Sequence, residues 1–155
     1  MTASAQPLDL GVLMALAYAQ LVRELHADLA AQGFDDLGRS DGYVFKALDI
    51  AALTTSELAE RLRISKQGAA QIVADMQRRG YVDREPHPHD RRAQRLRLSR
   101  RGEKARAAAH RFHQRYERRL RRQHGGPAID ALRVLLTAMA GNGQPLDPEL
   151  RGLYV

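Results

Sequence analysis

Two helix-start signatures eleven residues apart constrain this chain more tightly than anything else in it. Thr54 and Glu57 have the spacing of a capping box, with Leu58, Ala59 and Leu62 on one face behind them. Arg63 and Ile64 leave room only for a tight connection, and Ser65 stands as the N-cap of a second helix over Lys66 to Arg79, stopped by Gly80. Ala69, Ile72, Val73 and Met76 form the inward stripe of that helix, which turns Gln67, Ala70, Gln71 and Ala74 outward. The spacing predicts a helix-turn-helix. Small and amide side chains on an exposed helix face permit close approach to base edges, where Gln can pair bidentately with adenine.

The periodicity then changes. Tyr81 to Glu85 and Gln94 to Leu98 read as strands, with Leu96 and Leu98 inward and Arg95 and Arg97 outward. The Pro86-His87-Pro88-His89-Asp90-Arg91-Arg92 segment between them cannot enter a sheet interior, so this is a hairpin with a basic tip, a wing. A long helix is expected upstream over Leu8–Gln32, with an apolar stripe through Leu10, Leu13, Met14, Ala17, Leu21, Leu25 and Leu29, and a shorter one from Ser40 to about Ala52. Downstream, Ser99 caps a helix over Arg100–Gln123, a Gly-Gly-Pro break follows His124, and a last amphipathic helix covers Ala128–Ala140. The tail from Gly141 reads as irregular. The fold class is mainly α, a winged helix-turn-helix lobe with a small β-hairpin and helical extensions at both ends.

Charge placement narrows the partner. The chain of 155 residues carries +7, but residues 1–60 hold nine acids and three bases, whereas 76–122 hold seventeen bases and five acids. A basic middle segment in a small chain points to an anionic partner, nucleic acid first. Without cysteine there is no disulfide framework, thiolate metal site or cysteine nucleophile. His87-x-His89-Asp90 and His110-x-x-His113 lack the third and fourth ligands a zinc site needs, so neither metal nor cofactor is expected. A Gly-rich phosphate loop, a Gly-x-Ser-x-Gly elbow and a His-Glu-x-x-His motif are all missing, and no enzyme is expected. The MTASAQPLDL start lacks a signal-peptide pattern and no apolar run approaches the ~20 residues of a membrane span, so the expectation is a cytoplasmic protein without a membrane partner.

The strings LTTSELAERLRISKQGAAQIVADMQRRGYVDR and HPHDRRAQRLRLSRRG resemble the MarR-type winged-helix transcription regulators. The second matches that family's wing pattern, Asp-x-Arg then Leu-x-Leu-Ser/Thr-x-x-Gly, at Asp90, Arg92, Leu96, Leu98, Ser99 and Gly102. The resemblance implies a homodimer on a pseudo-palindromic operator. Dimerisation helices would lie in 1–37 and 99–155, with the DNA-binding lobe over 38–98. On this basis Ser65, Lys66, Gln67, Ala70 and Gln71 are the expected recognition-helix contacts to double-stranded DNA, and Asp90, Arg91, Arg92 and Arg95 those of the wing. Asp90 is expected to fix the loop by pairing with an arginine. Arg100 and Arg101 lie near enough to the wing base to reach phosphate; Arg115, Arg118, Arg119, Arg121 and Arg122 are expected to solvate an exposed face or to meet the acidic N-terminal helix of the other subunit. The resemblance also implies a small effector, commonly aromatic or phenolic, between the dimerisation helices and the lobe, with His26, Tyr43, Phe45 and Phe112 as candidate liners. Members that sense oxidants through cysteine are no model here, and those that stack an effector on tryptophan are a weak one, since the chain has neither residue. The expected function is a sequence-specific regulator, a repressor. The alternatives are an architectural protein binding DNA without preference, and a module docking a protein partner.

Overall fold

Six helices and one hairpin account for the described residues, 8–38, 40–90 and 92–141, of this computed structural model. In chain order they are α1 (Leu10–Ala31), α2 (Asp41–Ile50), α3 (Thr55–Arg61), α4 (Lys66–Arg78), β1 (Val82–Pro86), β2 (Gln94–Leu98), α5 (Arg100–His124) and α6 (Gly126–Ala140). The expected mainly α fold with a single hairpin is what the structure has. Arg91 and the tail from residue 142 lie outside the described residues.

Local chemistry sets the boundaries. Thr54 Oγ1 accepts from the Glu57 N–H at 3.2 Å while Glu57 Oε2 accepts from the Thr54 N–H at 2.7 Å, which closes the capping box at the start of α3. Ser65 Oγ accepts from the Gly68 N–H at 3.0 Å and starts α4. The connection between the two helices turns on Arg63, the one non-glycine with positive φ (48°) among the described residues, a strained backbone that the sequence did not advertise. α6 begins two residues earlier than expected because Pro127 fits a first helical turn, where no N–H is required of it.

The core belongs to the middle of the chain. Val44, Leu48, Leu58, Leu62, Val73, Met76, Tyr81, Val82, Leu96 and Leu98 are buried in one cluster drawn from α2, α3, α4 and the hairpin, and Ala105 closes it from α5. In the hairpin Val82 pairs with Leu98, Asp83 with Arg97 and Glu85 with Arg95, and Leu53 adds a bridge to Leu96. Leu96 and Leu98 point inward, as the alternation requires. α1 packs along α5, which carries α6 behind it. Along α1, however, only Leu29 of the expected stripe is buried; Leu10 is 64% exposed, and on α6 Leu135 is 61% exposed. Among the described residues no helix is long and apolar enough to cross a membrane.

The hairpin is joined to α5 by an unusually close approach. Ser99 donates its N–H to the Tyr81 carbonyl at 2.9 Å and its Oγ–H to the Gly80 carbonyl at 2.5 Å, and the same Oγ accepts from the Gly102 N–H at 3.0 Å. A Cβ on Gly102 would stand 2.2 Å from the Tyr81 carbonyl oxygen, so the Ser-x-x-Gly of the sequence is a steric requirement. Gly102→Ala should therefore lower unfolding free energy by about 1–3 kcal/mol, the usual cost of overpacking, in a urea titration. Unchanged stability would mean that the two segments are not held this closely.

Candidate nucleic-acid interface

α4 turns one face to solvent. Ala69, Val73 and Met76 are buried and Ile72 half-buried, whereas Ser65, Lys66, Gln67, Gln71 and Ala74 are exposed and Ala70 half-exposed. Nothing larger than a glutamine or lysine projects from the first two turns, and the first-turn amides of Lys66 and Gln67 precede the earliest intrahelical acceptor. Such a surface can seat a phosphate at its N-terminus and admit a groove edge along its length. At the other end, Gln77 Oε1 accepts from Arg84 Nε at 2.9 Å and ties α4 to the hairpin.

Within the hairpin the arginines divide into two kinds. Arg95 donates to Glu85 at 3.0 Å, and Arg97 lies 3.3 Å from Glu85 and 3.6 Å from Asp83. Arg95, expected as a contact residue, is thus half-buried in a cross-strand pair. Arg92 at the tip is exposed, with no acidic partner among the described residues. At the tip, Asp90 Oδ1 accepts from the Arg92 N–H at 2.9 Å, and among the described residues no arginine side chain pairs with it. Arg91 is outside the described residues.

Several arginines turn inward instead. Arg101, expected near phosphate, donates to Asp36 at 3.0 Å and lies 4.7 Å above the Tyr81 ring. The Tyr81 hydroxyl also donates to Asp36. Partial desolvation would raise the Asp36 carboxyl, but the Tyr81 hydroxyl and the Arg101 charge outweigh it and hold the group below its ordinary range. Arg115 and Arg119 reach Asp28 (2.6 Å) and Glu24 (2.5 Å) on α1 of their own chain.

The most enclosed of these pairs anchors the C-terminal end of α4. Arg79 donates to Asp41 at 2.6 and 3.2 Å, to Asp75 at 2.5 Å and to the Asp36 carbonyl at 2.6 Å. The Asp41 carboxylate, only 4% exposed, also accepts from the Gly38 N–H at 2.7 Å. The hydrogen bond that Arg79 donates to Asp41, above all, keeps the guanidinium ionised well above its ordinary range.

Beside this network α1, α2 and α5 enclose a cleft of about 480 Å³. Three of the expected liners, His26, Tyr43 and Phe45, are on its wall. Phe112 is not: it is buried against His113 and Tyr116, with ring centroids 5.5 and 5.8 Å away. Sequence reasoning missed Lys46, Arg106, His110 and His113 on the same wall. The His110-x-x-His113 spacing signalled a shared helix face without saying what that face meets. Desolvation, then the nearby Lys46 and His110, hold the His113 imidazole below its ordinary range.

Residues 35–93 match the model of the MarR family. No curated protein matches the chain. Among solved structures, RV1404 from Mycobacterium tuberculosis is similar at a TM-score of 0.72 and 19% identity, over 92% of this chain and 100% of that one. FabT from Streptococcus pneumoniae, in complex with DNA, gives 0.66 and 20% over 83% and 90%. A mutant of MarR from E. coli gives 0.62 and 20% over 86% and 98%.

Asp41→Ala would leave Arg79 enclosed with fewer partners. Because Asp75 and the Asp36 carbonyl remain, the loss in a denaturant titration should fall toward the lower end of the about 3–5 kcal/mol typical of breaking a buried pair. A loss under about 1 kcal/mol, the worth of an exposed pair, would mean that Asp41 does not anchor α4. Residues 35–93 match the MarR-family model, and the chain as a whole is similar in fold to the solved MarR of E. coli and to RV1404.

Proposed function

We propose that this chain is a sequence-specific regulator of transcription, a repressor that binds double-stranded DNA as a homodimer. The observation that carries this is the open face of α4, with exposed Gln67 and Gln71 and half-exposed Ala70, followed by a hairpin whose tip arginine, Arg92, lacks a carboxylate. In this reading Ser65 and Lys66 hold phosphate, Gln67, Ala70 and Gln71 meet base edges, and Arg92 enters the flanking minor groove. Arg91 would join Arg92, with Asp90 shaping the tip and Arg95 steadying it. The MarR-family match at 35–93 and the DNA complex of the similar FabT support the assignment.

Dimerisation is supported by what α1 and α6 leave uncovered. Leu10, Leu13, Leu16, Leu132, Leu135 and Met139 are exposed on the helices outside the core, in the segments 1–37 and 99–155 that we assign to dimer contact, flanking a DNA lobe over 38–98. Leu135→Glu should shift the sedimenting species from dimer to monomer at micromolar concentration. A dimer unaffected by that charge would place the interface elsewhere. The cleft beside α2, where His26, Tyr43 and Phe45 meet, would take a small aromatic or phenolic effector that releases the protein from DNA.

The experiment is fluorescence anisotropy on DNA from the region upstream of the protein's own coding sequence, against shuffled DNA. Specific binding should exceed random binding by ~10³ or more. Arg92→Ala should weaken both at least tenfold without lowering the melting temperature, whereas Gln71→Ala should reduce the preference between them. Equal affinity for both DNAs would favour an architectural role, for which the basic surplus at 76–122 also speaks.

A further inference from the structure

We infer that the outer face of α5 is a second contact surface for duplex DNA, holding its phosphate backbone beyond the stretch that α4 faces. Arg100, Lys104, Arg111, Arg118 and Arg122 are all exposed, and at 3.6 residues per turn they lie within about 40° of one another around the helix axis. They form a single stripe about 33 Å long, at 1.5 Å per residue. Among the described residues none of the five has an acidic partner.

The remaining arginines of α5 behave differently. Arg101 has Asp36, Arg106 has Asp49 and Glu103, Arg115 has Asp28, Arg119 has Glu24, and Arg121 has Glu117 and Asp130. The fold therefore supplies a carboxylate to each arginine on the other sectors of this helix and to none on this one. Arg100 with Lys104, and Arg118 with Arg122, are like-charge neighbours four apart, which weakens a helix unless something neutralises them. A second copy of the same stripe cannot do so across a two-fold axis.

The chemistry of the stripe selects its partner. It has no large apolar side chain to insert into a lipid surface, only Ala107, because α5 spends Ala105, Ala108 and Phe112 on its buried face. It has no aromatic ring on which an unpaired base could stack. What it offers is guanidinium and ammonium groups in a line that starts beside Ser99, at the base of the hairpin. A regularly charged backbone such as duplex phosphate meets that line.

This extends the DNA-binding reading above, and the test keeps the two apart. The triple variant Arg111→Gln, Arg118→Gln, Arg122→Gln is compared with wild type and Arg92→Ala on mixed-sequence duplexes of 20 and 60 base pairs over a salt series. The triple variant should melt no lower than wild type, since it relieves repulsion. On the 60-mer the slope of log K against log salt should become shallower by about 2–3 per chain, at ~0.9 per phosphate released. Its first 20-mer should bind within twofold of wild type. If the shallower slope comes with one 60-mer per dimer, the stripe holds the flank of the same duplex; if wild type takes a second 20-mer that the triple variant loses, it holds a separate one. Identical slopes for the triple variant and wild type on the 60-mer overturn the proposal, as does loss of binding to phosphatidylserine vesicles with DNA binding unchanged. Arg92→Ala binding like wild type while the triple variant still loses slope would sink the primary reading and leave this one standing.

Discussion

The carbonyl of Tyr81 occupies the space where a side chain at residue 102 would begin, and the parts of the molecule that face outward are held by that contact. α4 ends at Arg78, the hairpin leaves from Val82 and returns at Leu98, and α5 starts at Arg100, so three elements converge on a few residues. Ser99 hydrogen-bonds the carbonyls of Gly80 and Tyr81 and caps α5 with the same hydroxyl. Tyr81 is buried, and its hydroxyl reaches Asp36 in the connection after α1. The exposed face of α4 and the tip of the hairpin are thus fixed relative to each other by backbone contacts, which set position more rigidly than side-chain packing.

Long-range ion pairs rearrange the charge map of the chain. By sequence the first sixty residues are acidic and the stretch 76–122 strongly basic. In space Glu24, Asp28, Asp36, Asp41 and Asp49 each meet an arginine from that stretch. Most of these pairs are half-exposed and contribute little individually, about 0–1 kcal/mol. Their larger effect is on what is left over. Once the inward arginines are matched, the unpaired positive charge among the described residues lies mainly at the hairpin tip, on Arg61, Arg63 and Lys66 around the start of α4, on Lys46 and on the outer sector of α5, and that residual field is the one a polyanion approaching the molecule would encounter.

Local signals were legible in the sequence and distant partners were not. The capping box at Thr54, the cap at Ser65 and the inward pair Leu96 and Leu98 are set by neighbours within a few residues, and all three stand where spacing put them. Arg101 finds its carboxylate, Asp36, 65 residues away, beyond the reach of any local spacing rule. Arg95 reads as an outward strand residue either way; only the register reveals Glu85 opposite it. Phe112 is on the helix that walls the cleft, but on its buried side, a rotation that depends on how α5 packs. The Gly of Leu-x-Leu-Ser-x-x-Gly was visible as a pattern, while its cause, a carbonyl brought in from Tyr81, needs the fold. The stripe on α1 was real as an apolar face; periodicity alone could not say that its own chain leaves most of it uncovered.

The cleft and the end of α4 share a thin wall. Gly38 and Asp41 line the cleft, and they also line the groove on the far side with Gln71, Asp75 and Arg79. One Asp41 oxygen, Oδ2, accepts from both the Gly38 N–H at 2.7 Å and the Arg79 guanidinium at 2.6 Å. A molecule that displaced this wall would have to stretch the Arg79 contact or drag α4 with it, and an enclosed charge resists being left without its partner. Such a ligand would change DNA affinity only in so far as it favoured one position of the wall over the other. For the proposed effector, that requirement would put the discriminating contacts at Gly38 and Asp41, which line both the cleft and the groove and share the bonds to Arg79, more than among the apolar residues deeper in α1.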